Sequence, residues 1–189
     1  MDGKTVLNTF AYTGSLGVAA LAGGAQRAVQ LDLSRKFLGL ARQSAQLNRL
    51  PAEKHLLRPG NFFTLSSQMR RAGEEYDLVI LDPPFFASSG AGKVDLNQDS
   101  LRLVNKVRPM AADGGYLVVV NNALFVSGAQ FQAGLDALCA GGYLSLAARI
   151  DVPADVTGLP ETVCAAPPAD PAPFNHPTKI AVLKVRKKN

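Results

Sequence analysis

Residues 76–86 of the chain read Tyr76-Asp77-Leu78-Val79-Ile80-Leu81-Asp82-Pro83-Pro84-Phe85-Phe86. The apolar run before Asp82 is typical of a strand buried on both faces, as in a parallel sheet covered by helices. Two prolines cannot continue a central strand, because each lacks a backbone N–H. The sequence therefore predicts a central strand over residues 76–81 that stops at Asp82.

Strand-like and helix-like segments alternate on both sides of this strand. Further strands are predicted over Thr5–Phe10, Ala28–Asp32, His55–Arg58, Gly115–Val120, Tyr143–Ile150 and Lys179–Val185. Helices are predicted between them over Ser15–Ala22, Arg35–Asn48, Phe62–Arg71 and 98–107, and in the segment that follows Ser127. This alternation is typical of the α/β class, with a mostly parallel, seven-stranded sheet and helices on both of its faces.

The connection before the last strand has a different composition. Seven of the twelve prolines lie between Pro153 and Pro177, which predicts a long irregular loop instead of a crossover helix. Without a crossover helix, the last strand can pair antiparallel to its neighbour. We expect one domain over residues 1–189, in which the loop 153–177 is either functional or a surface packing segment.

The composition excludes several classes of protein. Of the 189 residues, 47% are hydrophobic and 19% charged, which is incompatible with a mainly disordered chain. No apolar run reaches the length of a membrane span, and no signal-peptide pattern opens the chain, so a cytoplasmic protein is expected. Two cysteines, Cys139 and Cys164, exclude a disulfide scaffold, and no metal-ligand spacing occurs. The net charge of +5 suits either an RNA partner or ordinary solubility.

The carboxyl ends of the predicted strands carry the candidate binding residues, as expected for an open α/β sheet. After the first strand, Gly14 and Gly17 are expected to let a ligand approach the backbone at a helix N-terminus. Tyr12 stands where a dinucleotide fingerprint has its first glycine, which disfavours a nicotinamide-dependent oxidoreductase. Asp32 ends the second strand and is placed either to bind ribose hydroxyls or to cap the next helix.

Two further strand ends carry candidate ligand contacts. Asn61 can bond the edge of an adenine and Phe62 can cover its face, although Phe62 also suits the core. At the end of the central strand, Asp82 can accept a hydrogen bond from an exocyclic amine or a ring nitrogen of a base. Phe85 and Phe86 offer flat apolar faces on which an unpaired base can stack.

At these residues the chain resembles a known family. Residues 6–14, 29–34, 41–48 and 76–86 are similar to S-adenosylmethionine (SAM)-dependent methyltransferases with a Rossmann-like fold. More narrowly, they resemble the catalytic domain of the bacterial 23S rRNA methyltransferases of the cytosine-carbon-5 type. The resemblance implies SAM as the cofactor and RNA, most specifically rRNA, as the partner.

The resemblance also implies roles for individual residues. The cofactor would be held by Phe10, Tyr12, Thr13, Gly14, Gly17, Asp32, Leu33, Ser34, Asn61, Phe62 and Asp82. The reacting methyl group would be bordered by Asp82, Pro83, Pro84 and Phe85, which are the expected catalytic residues.

The chain departs from that family in two respects. The family carries an RNA-binding domain before the catalytic domain, whereas this sequence begins a few residues before the first strand. The family also has a cysteine just after the fifth strand, because carbon-5 methylation needs a thiolate nucleophile. Here that place reads Val120-Asn121-Asn122-Ala123-Leu124. The sequence therefore permits methylation of an exocyclic amine more readily than methylation of carbon 5.

Several alternatives stay open at this point. Cys139 is expected in the core, while Cys164 in the proline-rich loop is a candidate nucleophile. Asn121 and Asn122 either read a substrate or satisfy loop backbone groups. A catalytically reduced module that binds SAM or RNA, and a methyltransferase with a non-nucleic-acid acceptor, are the competing functions.

Overall fold

A computed structural model describes residues 2–96, 100–157 and 165–187. The first half contains β1 (Thr5–Thr9), α1 (Ser15–Ala22), β2 (Arg27–Asp32), α2 (Arg35–Leu47), β3 (His55–Pro59), α3 (Phe62–Arg71) and β4 (Tyr76–Leu81). The second half contains β5 (Phe86–Ser89), β6 (Gly92–Asp95), α4 (Ser100–Val107), β7 (Ala111–Asn121), α5 (Gly128–Cys139), β8 (Leu144–Ile150), α6 (Ala154–Thr157) and β9 (Lys179–Val185). The seven predicted strands and the five predicted helices are all present.

The main sheet has the order β3–β2–β1–β4–β7–β9–β8. Its neighbours from β3 to β7 pair parallel, whereas β9 pairs antiparallel with both β7 and β8. The structure thus confirms the α/β prediction with an antiparallel last strand. Because β4 lies between β1 and β7, the end of β4 stands at the centre of the carboxyl edge, where the chain order reverses.

Both faces of the sheet are buried, which explains the continuous apolar runs. Leu7 packs into the larger core cluster, which includes Leu103 of α4 and Phe131 of α5. Its neighbour Val6 points the other way and packs with Leu21 of α1. Successive side chains of one strand therefore fill two different cores, which favours apolar residues on both faces.

Serine side chains cap two helices and fix where they begin. The Ser34 hydroxyl accepts a hydrogen bond from the Phe37 N–H at 3.3 Å and starts α2. The Ser127 hydroxyl accepts from the Gln130 N–H at 3.1 Å, and the Gln130 side chain accepts from the Ser127 N–H at 2.8 Å. This reciprocal arrangement is a capping box at the start of α5.

Three features differ from the sequence-based expectation. A two-stranded antiparallel hairpin, β5–β6, follows the prolines of β4 and stands apart from the main sheet. Strand β7 begins at Ala111, four residues before the predicted start, and α6 adds one helical turn within the proline-rich segment. Residues 98 and 99 of the predicted fourth helix and residues 158–164 of the predicted loop lie outside the described residues.

The helices of the described ranges are all too short, or too polar, to cross a membrane.

Candidate active site

A cavity of about 410 Å³ opens at the carboxyl edge of the sheet, between the ends of β1, β2 and β4. This volume lies within the range of small-molecule sites. Nine of the predicted site residues line it: Phe10, Tyr12, Asp32, Leu33, Asn61, Phe62, Asp82, Pro83 and Pro84. Thr13, Gly14, Gly17, Ser34 and Phe85 are not among its lining residues. The sequence therefore located the cavity, but some of the side chains it selected have other roles.

The loop after β1 has an unusual backbone. Phe10 and Tyr12 adopt left-handed conformations, with φ of 55° and 51°, and Gly14 follows with φ of 75°. Such conformations are costly for residues with a Cβ and cluster at ligand-binding sites. Tyr12 thus has the backbone conformation for which glycine is the usual residue, and its ring packs on Phe37 with centroids 4.3 Å apart. The loop is a shaped wall of the cavity.

Gly14 and Gly17 are needed for packing inside the protein. A Cβ on Gly17 would lie 2.4 Å from the side-chain amide of Gln30, and one on Gly14 would lie 2.4 Å from the Cβ of Ala41. Helix α1 and its preceding loop therefore approach β2 and α2 as closely as glycine allows. This packing requirement explains both glycines within the protein, while their contact with a ligand stays a prediction.

Gln30 is the centre of a buried polar network that holds the same loop. Its side-chain oxygen accepts from the Asn8 amide at 2.8 Å, and its amide nitrogen donates to the Gly14 carbonyl at 2.8 Å. The same nitrogen lies 2.9 Å from Nε2 of His55 on β3. Burial lowers the pKa of His55, with a smaller contribution from Arg42. The network links three strands to the loop that shapes the cavity.

The carboxylate of Asp32 is held by two backbone N–H groups. One carboxylate oxygen accepts from the Tyr12 N–H at 2.8 Å, and the other accepts from the Ser34 N–H at 2.8 Å. A carboxylate has about four acceptor positions, so each oxygen retains one for a ligand. The two roles considered for Asp32 therefore coexist: it organises the start of α2 and still offers acceptors to a pair of hydroxyls.

Asn61 and Phe62 are more committed to the protein than the sequence suggested. The Asn61 oxygen caps α3 by accepting from the Phe63 N–H at 2.9 Å, and its amide donates to Ser89 of the hairpin at 2.8 Å. Phe62 is buried and packs on Phe10, with ring centroids 4.4 Å apart. Asn61 thereby ties the hairpin to α3, while the two phenylalanine rings form an apolar wall of the cavity.

The β5–β6 hairpin covers one side of the cavity and was missed by the sequence analysis. Ala87, Ser88, Ser89, Gly92 and Val94 all line the cavity. The ring of Phe86 is more than half exposed and has the Lys93 ammonium 5.2 Å from its centroid. The short alternating pattern of Gly92–Asp95 was the available signal for this strand.

Asp82 stands alone at the centre of the edge. Within the described residues, no hydrogen bond or ion pair holds its carboxyl, and burial raises its pKa above the ordinary value for aspartate. Pro83 is buried beside it and Pro84 is exposed, and both line the cavity. A partly buried carboxyl without a partner is a candidate functional group, because the fold gains nothing from keeping it there.

Asn121 and Asn122 each use one side-chain atom and leave the other without a partner. The Asn121 oxygen accepts from the Ala123 N–H at 3.0 Å, and the Asn122 amide donates to the Pro83 carbonyl at 3.5 Å. Asn121 Nδ2 and Asn122 Oδ1 are buried with no hydrogen-bond partner. Asn122 and Asp82 both line the cavity. An orphaned buried acceptor at a cavity indicates a ligand donor that completes it.

Lys179 holds the segment that carries these asparagines, and nothing in the sequence analysis singled it out. Its side chain is fully buried, and Nζ donates to the carbonyls of Ala123 at 2.9 Å, Val126 at 2.8 Å and Pro177 at 2.7 Å. Burial lowers the pKa of Lys179 to about 8.

Among the described residues, no cysteine lines the cavity. Cys139 packs beside the core on α5, and burial raises the pKa of its thiol, which makes it a poor nucleophile. Cys164 lies outside the described residues. Within the described ranges there is also no group of three or more histidine, cysteine, aspartate or glutamate side chains able to hold a metal ion.

The parallel sheet with an antiparallel last strand, and a nucleoside-sized cavity at its switch point, define a Rossmann-like methyltransferase fold. The comparison with known families agrees: residues 1–162 match the model of the S-adenosylmethionine-dependent methyltransferases. The chain belongs to this family, and SAM is its cofactor.

The curated relatives include rRNA enzymes. The ribosomal RNA large subunit methyltransferase I of Aeromonas hydrophila subsp. hydrophila is 38% identical over 152 residues, which are 72% of this chain and 36% of that protein. The ribosomal RNA large subunit methyltransferase K/L of Marinobacter nauticus is 34% identical over 122 residues, which are 64% of this chain and 17% of that protein. The chain therefore spans well under half the length of either relative.

Solved structures share the fold. The crystal structure of SMU.776 complexed with SAH superposes with a TM-score of 0.82 at 24% identity, covering 97% of this chain and 46% of that one. The SAM-dependent methyltransferase of Agrobacterium tumefaciens superposes with a TM-score of 0.69 at 18% identity, covering 98% of this chain and 56% of that one.

Proposed function

We propose that this methyltransferase transfers the methyl group of SAM to an exocyclic amine of a base in large-subunit ribosomal RNA. The rRNA acceptor is supported by the names of the two curated relatives. The choice of an amine rests on one observation: the unpartnered carboxyl of Asp82 and the side chain of Asn122, whose buried oxygen has no partner, line the same cavity.

The cavity suits SAM in shape and in chemistry. Asp32 offers two free acceptor positions for the ribose hydroxyls, and the Phe10–Phe62 pair offers an apolar wall. When bound, SAM supplies a methyl group already activated by its sulfonium. The negative charge of Asp82 favours a cationic neighbour there, because no cation of the described chain neutralises it.

The chain's own residues then need only align the acceptor and exclude water. An exocyclic amine has two N–H donors, and the Asp82 carboxylate and Asn122 Oδ1 are two acceptors beside Pro83. Holding both N–H groups turns the nitrogen lone pair toward the methyl group. The nitrogen–carbon bond forms as the carbon–sulfur bond breaks, and the amine afterwards loses a proton to Asp82 or water.

Carbon-5 methylation is less well supported by this site. That reaction needs a thiolate that adds to carbon 6, and no cysteine of the described residues lines the cavity. The residues after β7 that take the place of the family's cysteine are Asn121 and Asn122.

The test is methyl transfer from deuterated SAM to protein-free bacterial large-subunit rRNA transcribed in vitro, followed by digestion and mass spectrometry of the nucleosides. We expect an N-methylated nucleoside that matches the retention of an authentic standard. 5-Methylcytidine as the product would contradict the amine proposal. SAM binding without labelled RNA would instead favour a non-catalytic module or a non-nucleic-acid acceptor, which parallel incubation with ribosomal protein would reveal.

A further inference from the structure

The segment Asn122–Val126, here called the acceptor loop, joins β7 to α5 at the edge that holds the cavity. Asn122 at its start lines the cavity, whereas Leu124 and Phe125 are 51% and 69% exposed. Large apolar side chains this exposed, directly after a cavity-lining residue, indicate a contact surface for something outside the chain.

The acceptor loop is held rigidly in spite of its exposed tip. Lys179 uses all three of its ammonium donors on carbonyls, two of which, Ala123 and Val126, belong to the loop. The Val126 N–H also donates to the Ala123 carbonyl at 3.3 Å, which closes a turn around the tip. The next residue, Ser127, is fixed by its capping box. Phe125 is therefore presented from a backbone that is pinned at both ends.

The burial of Lys179 is best explained by this loop. No carboxylate takes part in its hydrogen bonds, and burying a charge without a counter-charge costs free energy that an apolar side chain would avoid. The ammonium instead fixes the backbone of the loop, because it holds the carbonyls of Ala123, Val126 and Pro177 around one point.

We propose that the acceptor loop is the docking surface for an unpaired base of the RNA substrate, which stacks on Phe125, and that Lys179 is the positioning residue of this surface. The inference rests on the proposed function, since it assumes that the acceptor in the neighbouring cavity is RNA. Aromatic rings stack on any base, and a ring presented from an ordered backbone loses little conformational freedom on binding. The net charge of +5 is complementary to the phosphate backbone of such an RNA, and it opposes docking of a basic protein surface.

The first test measures RNA binding directly, without methyl transfer. The probe is a fluorescein-labelled fragment of unmethylated large-subunit rRNA, titrated with the full chain and followed by anisotropy. We expect Phe125→Ala to raise the Kd for this RNA at least fivefold and to leave the Kd for SAM within twofold. Phe125→Tyr, which keeps a stacking ring, should restore RNA binding. Leu47→Ala is the matched control, because Leu47 is 85% exposed on α2, away from the cavity.

The second test concerns Lys179. Lys179→Met should raise the KM for RNA without changing the KM for SAM, measured well below the melting temperature of the variant. Combined with Phe125→Ala, it should add little, because both changes act through one loop. If Lys179→Met does not fold, the Phe125 variants alone decide the docking surface.

The outcomes separate this inference from the proposed function. An unchanged RNA Kd in Phe125→Ala overturns the docking surface, even if the wild-type chain methylates RNA. Wild-type binding that is weakened by Phe125→Ala but accompanied by no methylation supports the surface and contradicts the proposed function. Absence of RNA binding by the wild-type chain overturns the docking surface, and tight binding of a ribosomal protein in its place would assign the surface to protein.

Discussion

The carboxylate of Asp32 accepts a hydrogen bond from the backbone N–H of Tyr12 at 2.8 Å, so the end of β2 is tied directly to the loop after β1. A side chain in this position affects cofactor binding in two ways, through its free acceptors and through the loop that it holds.

We expect Asp32→Ala to weaken SAM binding by roughly 1.5–3 kcal/mol, because charge-assisted hydrogen bonds are lost. Isothermal titration calorimetry measures the affinity for SAM, and Asp155→Ala on the exposed surface of α6 is the control. Equal affinity in Asp32→Ala would remove Asp32 from the binding site.

Asp82→Asn separates catalysis from stability. Methyl transfer should fall by about a hundredfold or more, since an acceptor aimed at the reacting amine becomes partly a donor. SAM affinity should change less than tenfold. Because burial raises the pKa of Asp82, the folded state favours the protonated carboxyl, and this stabilisation is lost as the pH rises through that pKa. A neutral amide should therefore raise the melting temperature at pH 7. Single-turnover assays and thermal melts measure both effects, and unchanged turnover would contradict the assigned role.

The pH dependence of the enzyme should report the same carboxyl. Protonation of Asp82 removes its charge, so kcat/KM for SAM should decline as the pH falls through a pKa above the ordinary aspartate value. A bound sulfonium favours the charged carboxylate, so the acid limb of kcat should lie at lower pH than that of kcat/KM. Profiles of the wild type and of Asp82→Asn measure this difference. An identical acid limb in the variant would assign it to another group.

Two glycines of neighbouring helices make a matched pair for stability. Gly17→Ala would place a Cβ 2.4 Å from the Gln30 amide, and we expect a loss of about 1–3 kcal/mol from overpacking. Gly39 lies in α2 with nothing within 4 Å of its Cβ direction, so Gly39→Ala should stabilise by about 0.5–1 kcal/mol. Urea unfolding of both variants gives the free energies. A Gly17→Ala protein as stable as the wild type would show that Gln30 can move aside.

The sequence predicted the sheet well because its strands are buried on both faces. The strands Thr5–Thr9 and Tyr76–Leu81 are mostly buried, and their predicted boundaries agree with the structure within one residue. The β5–β6 hairpin was missed because its strands have four residues each, with a single buried residue between them, and pair only with each other. Short strands of that kind have little periodicity to read.

The cavity was predicted from strand ends, but the detailed partners were not. The packing role of Gly14 and Gly17 could not be predicted, because the sequence does not show that Gln30 fills the space beside them. Asn61 looked free to bind adenine, whereas the start of α3 uses its oxygen. The role of Lys179 could not be predicted, since burial of this lysine depends on carbonyls contributed by a segment more than fifty residues away.

The network around Gln30 has a consequence for protein engineering. Because one glutamine side chain connects Asn8, the Gly14 carbonyl and His55, the wall of the cavity formed by the loop after β1 depends on a residue that never touches the cavity. An attempt to graft this cofactor loop onto another scaffold, or to retarget it to a different nucleoside, would have to transplant Gln30 with it. A library restricted to cavity-facing positions would leave out the side chain that sets the loop's shape.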